Sequence, residues 1–290
     1  MPRHWKVALV LCWWTVLLHG CAALQRSAIR SVAGPLGERL NESLQREKDP
    51  DLVREGGPAL ILLLDGLAEG SSDPSLLLAA ARARVAYAAG CFDRTQEDRA
   101  RAMYDRARAQ ALKVLAARGV STQIETPIAE FERQVRRLGA QDVPAMYVAA
   151  QAWMGWILST GGSPEAMAQL ERPLVLMRRV LELDPSYDRG GAHLFFGLYY
   201  TVQLPGAGRD LPTARRHFEE AIRLAGPGSL LPKVLFAEFY ARYAQDRRLF
   251  DALVQEVLQS KQDAPGCELT NAIAQRRAAT LKELAPEWFE

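Results

Sequence analysis

Turn-forming residues divide this 290-residue chain into segments of helix length, and that spacing decides its fold class. The breaks read "GPLG" at 34–37, "DPD" at 49–51, "EGG" at 55–57, "GSSDP" at 70–74, "GG" at 161–162, "DPS" at 184–186, "LPGAG" at 204–208 and "GPG" at 226–228. Between them Ala, Leu, Arg and Glu dominate, apolar residues recur at three- and four-residue spacing, and alternating β-branched runs are scarce. Asp73-Pro74 has the chemistry of a helix start, an acceptor side chain before a proline in the first turn. The chain is predicted to be all-α, an array of antiparallel helix pairs joined by short turns.

A packing pattern repeats within those segments. A small residue is followed four positions later by a large apolar one, and three positions after that by another small one. It occurs as Ala100, Tyr104, Ala107 and as Ala214, Phe218, Ala221, with a degenerate copy at Pro173, Met177, Val180. Small residues let paired helices approach, and the large one fills the groove between them. Leu253 follows Phe218 by 35 residues, close to the tetratricopeptide period of about 34. "VLELDPSY" ends a helix at Asp184-Pro185 and starts the next at Tyr187, as tetratricopeptide pairs do. "HLFFGLYY" and "PTARRHFEEAIRL" then form one such pair, with Gly197 admitting the partner helix.

The first residues, "MPRHWKVALVLCWWTVLLHGCAAL", combine a basic front at Arg3 and Lys6 with the uncharged run Val7 to Leu18. That run is shorter than the roughly 20 residues a spanning helix needs. The layout is that of a secretory signal, and its end, "LLHGC", resembles a bacterial lipobox. Residues 1–20 are therefore expected to be a signal peptide, with Cys21 lipidated. Residues 21–48 would form a tether and first helix, and 49–290 the helical domain. Losing Arg3 and Lys6 leaves 34 basic against 34 acidic residues. A neutral body argues against a nucleic-acid partner. Cys91 and Cys267 remain, and sequence alone does not say whether they pair.

The motifs of catalysis do not appear. There is no His-Glu-x-x-His, no Gly-x-Ser-x-Gly elbow and no phosphate-binding loop. "GAG" at 206–208 lacks the third glycine and the preceding strand of a dinucleotide site. His193 and His217 are the only histidines after the signal, a meagre set for a metal site or a proton relay. Asp188, Asp210 and Asp246 sit at turns and read as caps. No catalytic residue, metal or cofactor is expected. Two aromatic groups stand out instead. Phe195, Phe196, Tyr199 and Tyr200 form adjacent i,i+4 strips beside His193, wider than one helix partner needs. Tyr147, Trp153 and Trp156 form the other group. Each group can be core or the lining of a ligand cavity between helices.

The segments "SLLLAAARARVAYAAGCF", "VPAMYVAAQAWMGWILS", "GGAHLFFGLYY", "ARRHFEEAIRL" and "LTNAIAQRRAATLKELAPEWF", in that order, resemble the TatT family. These are lipoproteins that serve as the T-component of tripartite ATP-independent periplasmic (TRAP) transporters. The resemblance runs from about Asp49 to Phe289. It implies a body tethered through Cys21 on the periplasmic side of an envelope membrane, the outer one by the Ala at position 22. It also implies docking to a periplasmic TRAP solute-binding protein, and the holding or passing of a small apolar or organic-acid ligand. A homo-oligomer is compatible with such a body. A tetratricopeptide scaffold for outer-membrane or cell-wall assembly needs only the anchor and the repeat surface, and stands as the alternative.

Overall fold

A computed structural model of the chain describes residues 42–91, 96–203, 208–261 and 263–289. The signal peptide, Cys21 and the tether up to residue 41 lie outside the described residues, as do 204–207 of the "LPGAG" turn. Among the described residues every regular element is helical. The chain after residue 41 forms one unit.

Helix α1 (Pro50–Ala68) starts at the "DPD" break, where the Asp49 carboxylate accepts from the backbone N–H groups of Asp51 and Leu52. It then runs straight through "EGG", where the sequence pattern predicts a break. The reason is tertiary. Tyr87, on α2 (Pro74–Cys91), lies across Gly57, where a Cβ would come within 2.7 Å of its ring. Pro58 follows inside the helix and cannot donate to the Arg54 carbonyl four residues back. The Tyr87 hydroxyl donates to that carbonyl instead, at 3.1 Å. One tyrosine thus repairs the helix and covers its glycine. Asp73 caps α2 as expected, accepting from the Ser75 amide at 2.9 Å.

Helix α3 (Glu97–Ala116) packs between α2 and α5 (Val143–Leu158). The short α4 (Ile128–Val135) and α6 (Pro164–Met167) flank them. Helix α7 (Glu171–Leu183) lies along α5, and α8 (Tyr187–Val202) pairs most extensively with α9 (Leu211–Ala225). Helix α10 (Leu231–Leu235) passes without a break into a π-helical turn, Phe236–Ala241. Helices α11 (Arg247–Gln259) and α12 (Glu268–Trp288) complete the chain.

The repeated packing pattern lands on the buried faces. Ala107, Met177, Val180, Ala214, Phe218 and Ala221 are fully enclosed. Its large residues also find glycines on the partner helices. A Cβ at Gly155 would come within 2.5 Å of the Tyr104 ring, and one at Gly197 within 2.9 Å of Phe218. Tyr104 and Phe218 therefore sit against bare backbone, which brings α3 to α5 and α9 to α8.

The last helix returns to the first. Arg276 on α12 reaches Asp51 at 2.8 Å, and Lys48 reaches Asp263 at 2.6 Å. These pairs are exposed, where ion pairs add little to stability, so they set register rather than hold the fold. Asn271, fully buried on α12, accepts from the Leu230 amide and donates to the Gly228 carbonyl. That clamp holds the "GPG" turn. Cys267 is a buried free thiol; the Cys91 side chain lies outside the described residues.

Candidate functional site

The aromatic residues singled out in the sequence separate into three environments. Tyr147 is buried and points at the start of α8, where its hydroxyl occupies the space a Cβ of Gly191 would take. The chain there makes three consecutive left-handed residues, Asp188 (φ 50°), Arg189 (φ 57°) and Gly190 (φ 80°), before α8 continues right-handed. Left-handed residues other than glycine cost roughly 1–2 kcal/mol each, so surrounding contacts must impose the turn. The Tyr187 ring packs edge-on to Tyr147 at 5.2 Å, and Arg82 donates to the Tyr187 hydroxyl. Burial, then the Asp188 carboxylate, push the Tyr147 phenol well above its ordinary value and keep it protonated. Asp188 thus belongs to this strained turn, whereas Asp210 and Asp246 are helix caps, as expected.

Trp153 and Trp156 turn away from Tyr147. Trp153 is buried against Phe131 and donates its indole N–H to Gln169 at 3.0 Å. Trp156 is half-buried beneath the Arg108 guanidinium, 4.1 Å from its ring centre. Arg108 and Trp153 line a cleft of about 440 Å³ with Leu112, Lys113, Thr122 and Ile124.

The third environment gathers His193, Phe195, Phe196, Tyr199 and Tyr200, and adds His217 from α9. Phe196 is buried, and the others are half-buried. Phe196 and Tyr200 flank the His217 ring at 5.5 and 5.8 Å. Nδ1 of His193 lies 3.1 Å from Nδ1 of His217. Burial, reinforced by His193 and Arg216, lowers the His217 pKa to about 4. That of His193 is also lowered, chiefly by burial, with Glu220 opposing and Arg223 assisting. Below the ordinary value of about 6.5 the unfolded chain takes up protons that the folded pair refuses, so stability falls as the pH falls from 6.5 toward 4. The melting temperature is expected to drop across that window in the native chain and by less in His217→Gln, measured by circular dichroism at fixed ionic strength.

A fourth environment is a cleft that the sequence pattern does not predict. It measures about 570 Å³ and is lined by Glu238, Arg242, Arg277, Thr280, Leu284 and Trp288. The π-helical turn presents Glu238 toward α12, where Arg277 engages both carboxylate oxygens. The Arg242 guanidinium carbon sits over Trp288, 3.9 Å from the ring centre, and Arg242 has no carboxylate partner among the described residues. The result is one neutralised guanidinium, one free one, a hydroxyl and an apolar wall. Such a surface suits a small anion with an apolar body. Within "NAIAQRRA", Arg277 orients Glu238 in the cleft, while Arg276 joins α12 to α1. Spacing alone did not bring Arg242 to Trp288.

The helical body from residue 46 to residue 289 matches the family model described as the TRAP transporter T-component. The chain belongs to that family. No match to a curated protein is found. All four environments fall within the matched region, so they are features of the T-component body. Among its described residues no helix is long and apolar enough to cross a membrane.

Proposed function

We propose that this T-component is held at the periplasmic face of the cell envelope by lipid on Cys21, docks the solute-binding protein of its transporter, and holds a small ligand between its helices. The family match across the helical body carries the reading. Two features of the body support it. Leu52, Leu62, Leu63 and Leu67 are exposed on α1, an apolar surface of the kind that partners cover. The Arg242–Trp288 cleft offers an organic acid a guanidinium and an apolar wall.

Crosslinking the lipidated protein in intact cells tests the docking. The expected main adduct is a periplasmic solute-binding protein, and its yield should fall when Leu62 and Leu63 are both changed to Asp. Outer-membrane assembly factors or peptidoglycan enzymes as main adducts would overturn the reading in favour of a helical scaffold. Cys21→Ser should move the protein from the membrane to the soluble fraction; retention in the membrane would refute the lipid anchor.

A further inference from the structure

The imidazoles of His193 and His217 come from different helices, 24 residues apart in sequence, and meet through the same ring atom. We propose that they form a two-nitrogen chelate for a divalent late transition-metal ion, with water completing its coordination. Nitrogen ligands bind such ions at about 2.0–2.1 Å, so two of them at right-angled to tetrahedral geometry stand roughly 2.9–3.4 Å apart. The observed Nδ1 to Nδ1 distance is 3.1 Å. The ring centres lie 5.1 Å apart with their planes tilted by 47°, so both rings reach one point between α8 and α9.

The surroundings hold this bite in place. Gly197, one turn along α8 from His193, lets α9 approach until Phe218 lies on the backbone, and that approach brings His217 to His193. Phe196 and Tyr200 fix the His217 ring from α8. Both histidines are half-buried, leaving a route for water and ions. Among the described residues no three His, Cys, Asp or Glu side chains converge on one ion, so the protein supplies two ligands.

The neighbouring charges set the strength. Glu220 is the acid whose field reaches His193, but Arg223 holds both its carboxylate oxygens, at 2.5 and 2.7 Å. Arg216 bonds the Thr213 hydroxyl at 2.8 Å and adds a second positive charge. One uncompensated positive charge beside the pair weakens cation binding and favours the ion with the strongest imidazole bonds. By the usual order of affinities that ion is Cu²⁺, ahead of Ni²⁺ and Zn²⁺.

Proton bookkeeping is simple. In the empty pair one Nδ1–H donates to the other ring's Nδ1, so one proton lies between them. The ion takes its place, and that proton moves to Nε2 of the same ring. Two neutral imidazoles therefore bind the ion without net release of a proton. Acid competes for the same nitrogens and releases the ion.

The test is titration of the full-length protein, without a polyhistidine tag and in detergent, with Cu²⁺ at neutral pH. The expected result is one tight equivalent whose electron paramagnetic resonance spectrum shows coupling to two imidazole nitrogens. His193→Gln and His217→Gln should each weaken binding by at least about 10-fold, the low end of what disturbing a site's outer partners costs. Far-UV circular dichroism checks that the variants are folded. As a second readout on the native protein, Zn²⁺ should protect both histidines from carbethoxylation. Equal Cu²⁺ binding by native and variant proteins, no nitrogen coupling, or no protection would each overturn the proposal. Transporter docking does not enter these readouts, so the inference stands or falls apart from the proposed function.

Discussion

Phe218→Ala should destabilise the body by about 3–5 kcal/mol, the range for removing a fully buried aromatic ring. Phe218 is completely enclosed. Its ring lies over the bare backbone at Gly197 and stacks on Phe236 at 5.0 Å, tying α8, α9 and the π-helical turn together. Glycine on one side and a rigid ring on the other leave little that can collapse into the cavity. Filling the same joint from the other side should also hurt. Gly197→Ala gains roughly 1 kcal/mol of helix propensity but puts a methyl 2.9 Å from the Phe218 ring. Overpacking of that kind costs about 1–3 kcal/mol, so a net loss of up to about 2 kcal/mol is expected. Urea denaturation at constant slope measures both. A Phe218→Ala loss below 1 kcal/mol would mean that the α8–α9 joint is not part of the cooperative core.

Asp65→Ala should cost a similar amount for a different reason. Asp65 is the partner of Arg84, which is buried to 3% exposure. Arg84 donates to it from Nε at 3.2 Å and from Nη2, and Gln110 donates to the same carboxylate at 3.2 Å. Removing the acid leaves a buried guanidinium without a counter-ion, a change worth about 3–5 kcal/mol. Nearby Arg106 makes the uncompensated charge worse and already lowers the Arg84 pKa, after burial itself. Replacing both partners, as Asp65→Leu with Arg84→Met, should recover most of the loss, because an apolar pair of similar volume has no charge to bury. Denaturation midpoints of the single and double variants decide it. A double variant no more stable than Asp65→Ala would show that packing at Arg84, and not its charge, carries the effect.

The sequence carried what is local. Helix starts at Asp73, Asp210 and Asp246 were legible because a cap needs only an acceptor a few residues before the amide it serves. The buried faces through Phe218 and Met177 were legible because helical spacing determines them. "EGG" was misread as a break because its neighbour in space, Tyr87, lies 30 residues beyond Gly57. The aromatic strips showed that α8 has an unusually wide apolar surface. They did not show that Tyr147 faces the turn at Gly191 while Trp153 and Trp156 face Arg108.

By itself, then, the sequence determined the all-helical class, the pairing of α8 with α9 and the family to which the body belongs. These rest on hydrogen bonds and side-chain spacings within a few turns of chain. Only the tertiary structure decided that His193 meets His217, that Arg242 lies on Trp288, and that α12 returns to α1. Those meetings depend on how closely each helix pair approaches, which glycines and the rings resting on them set across distances the local pattern does not encode.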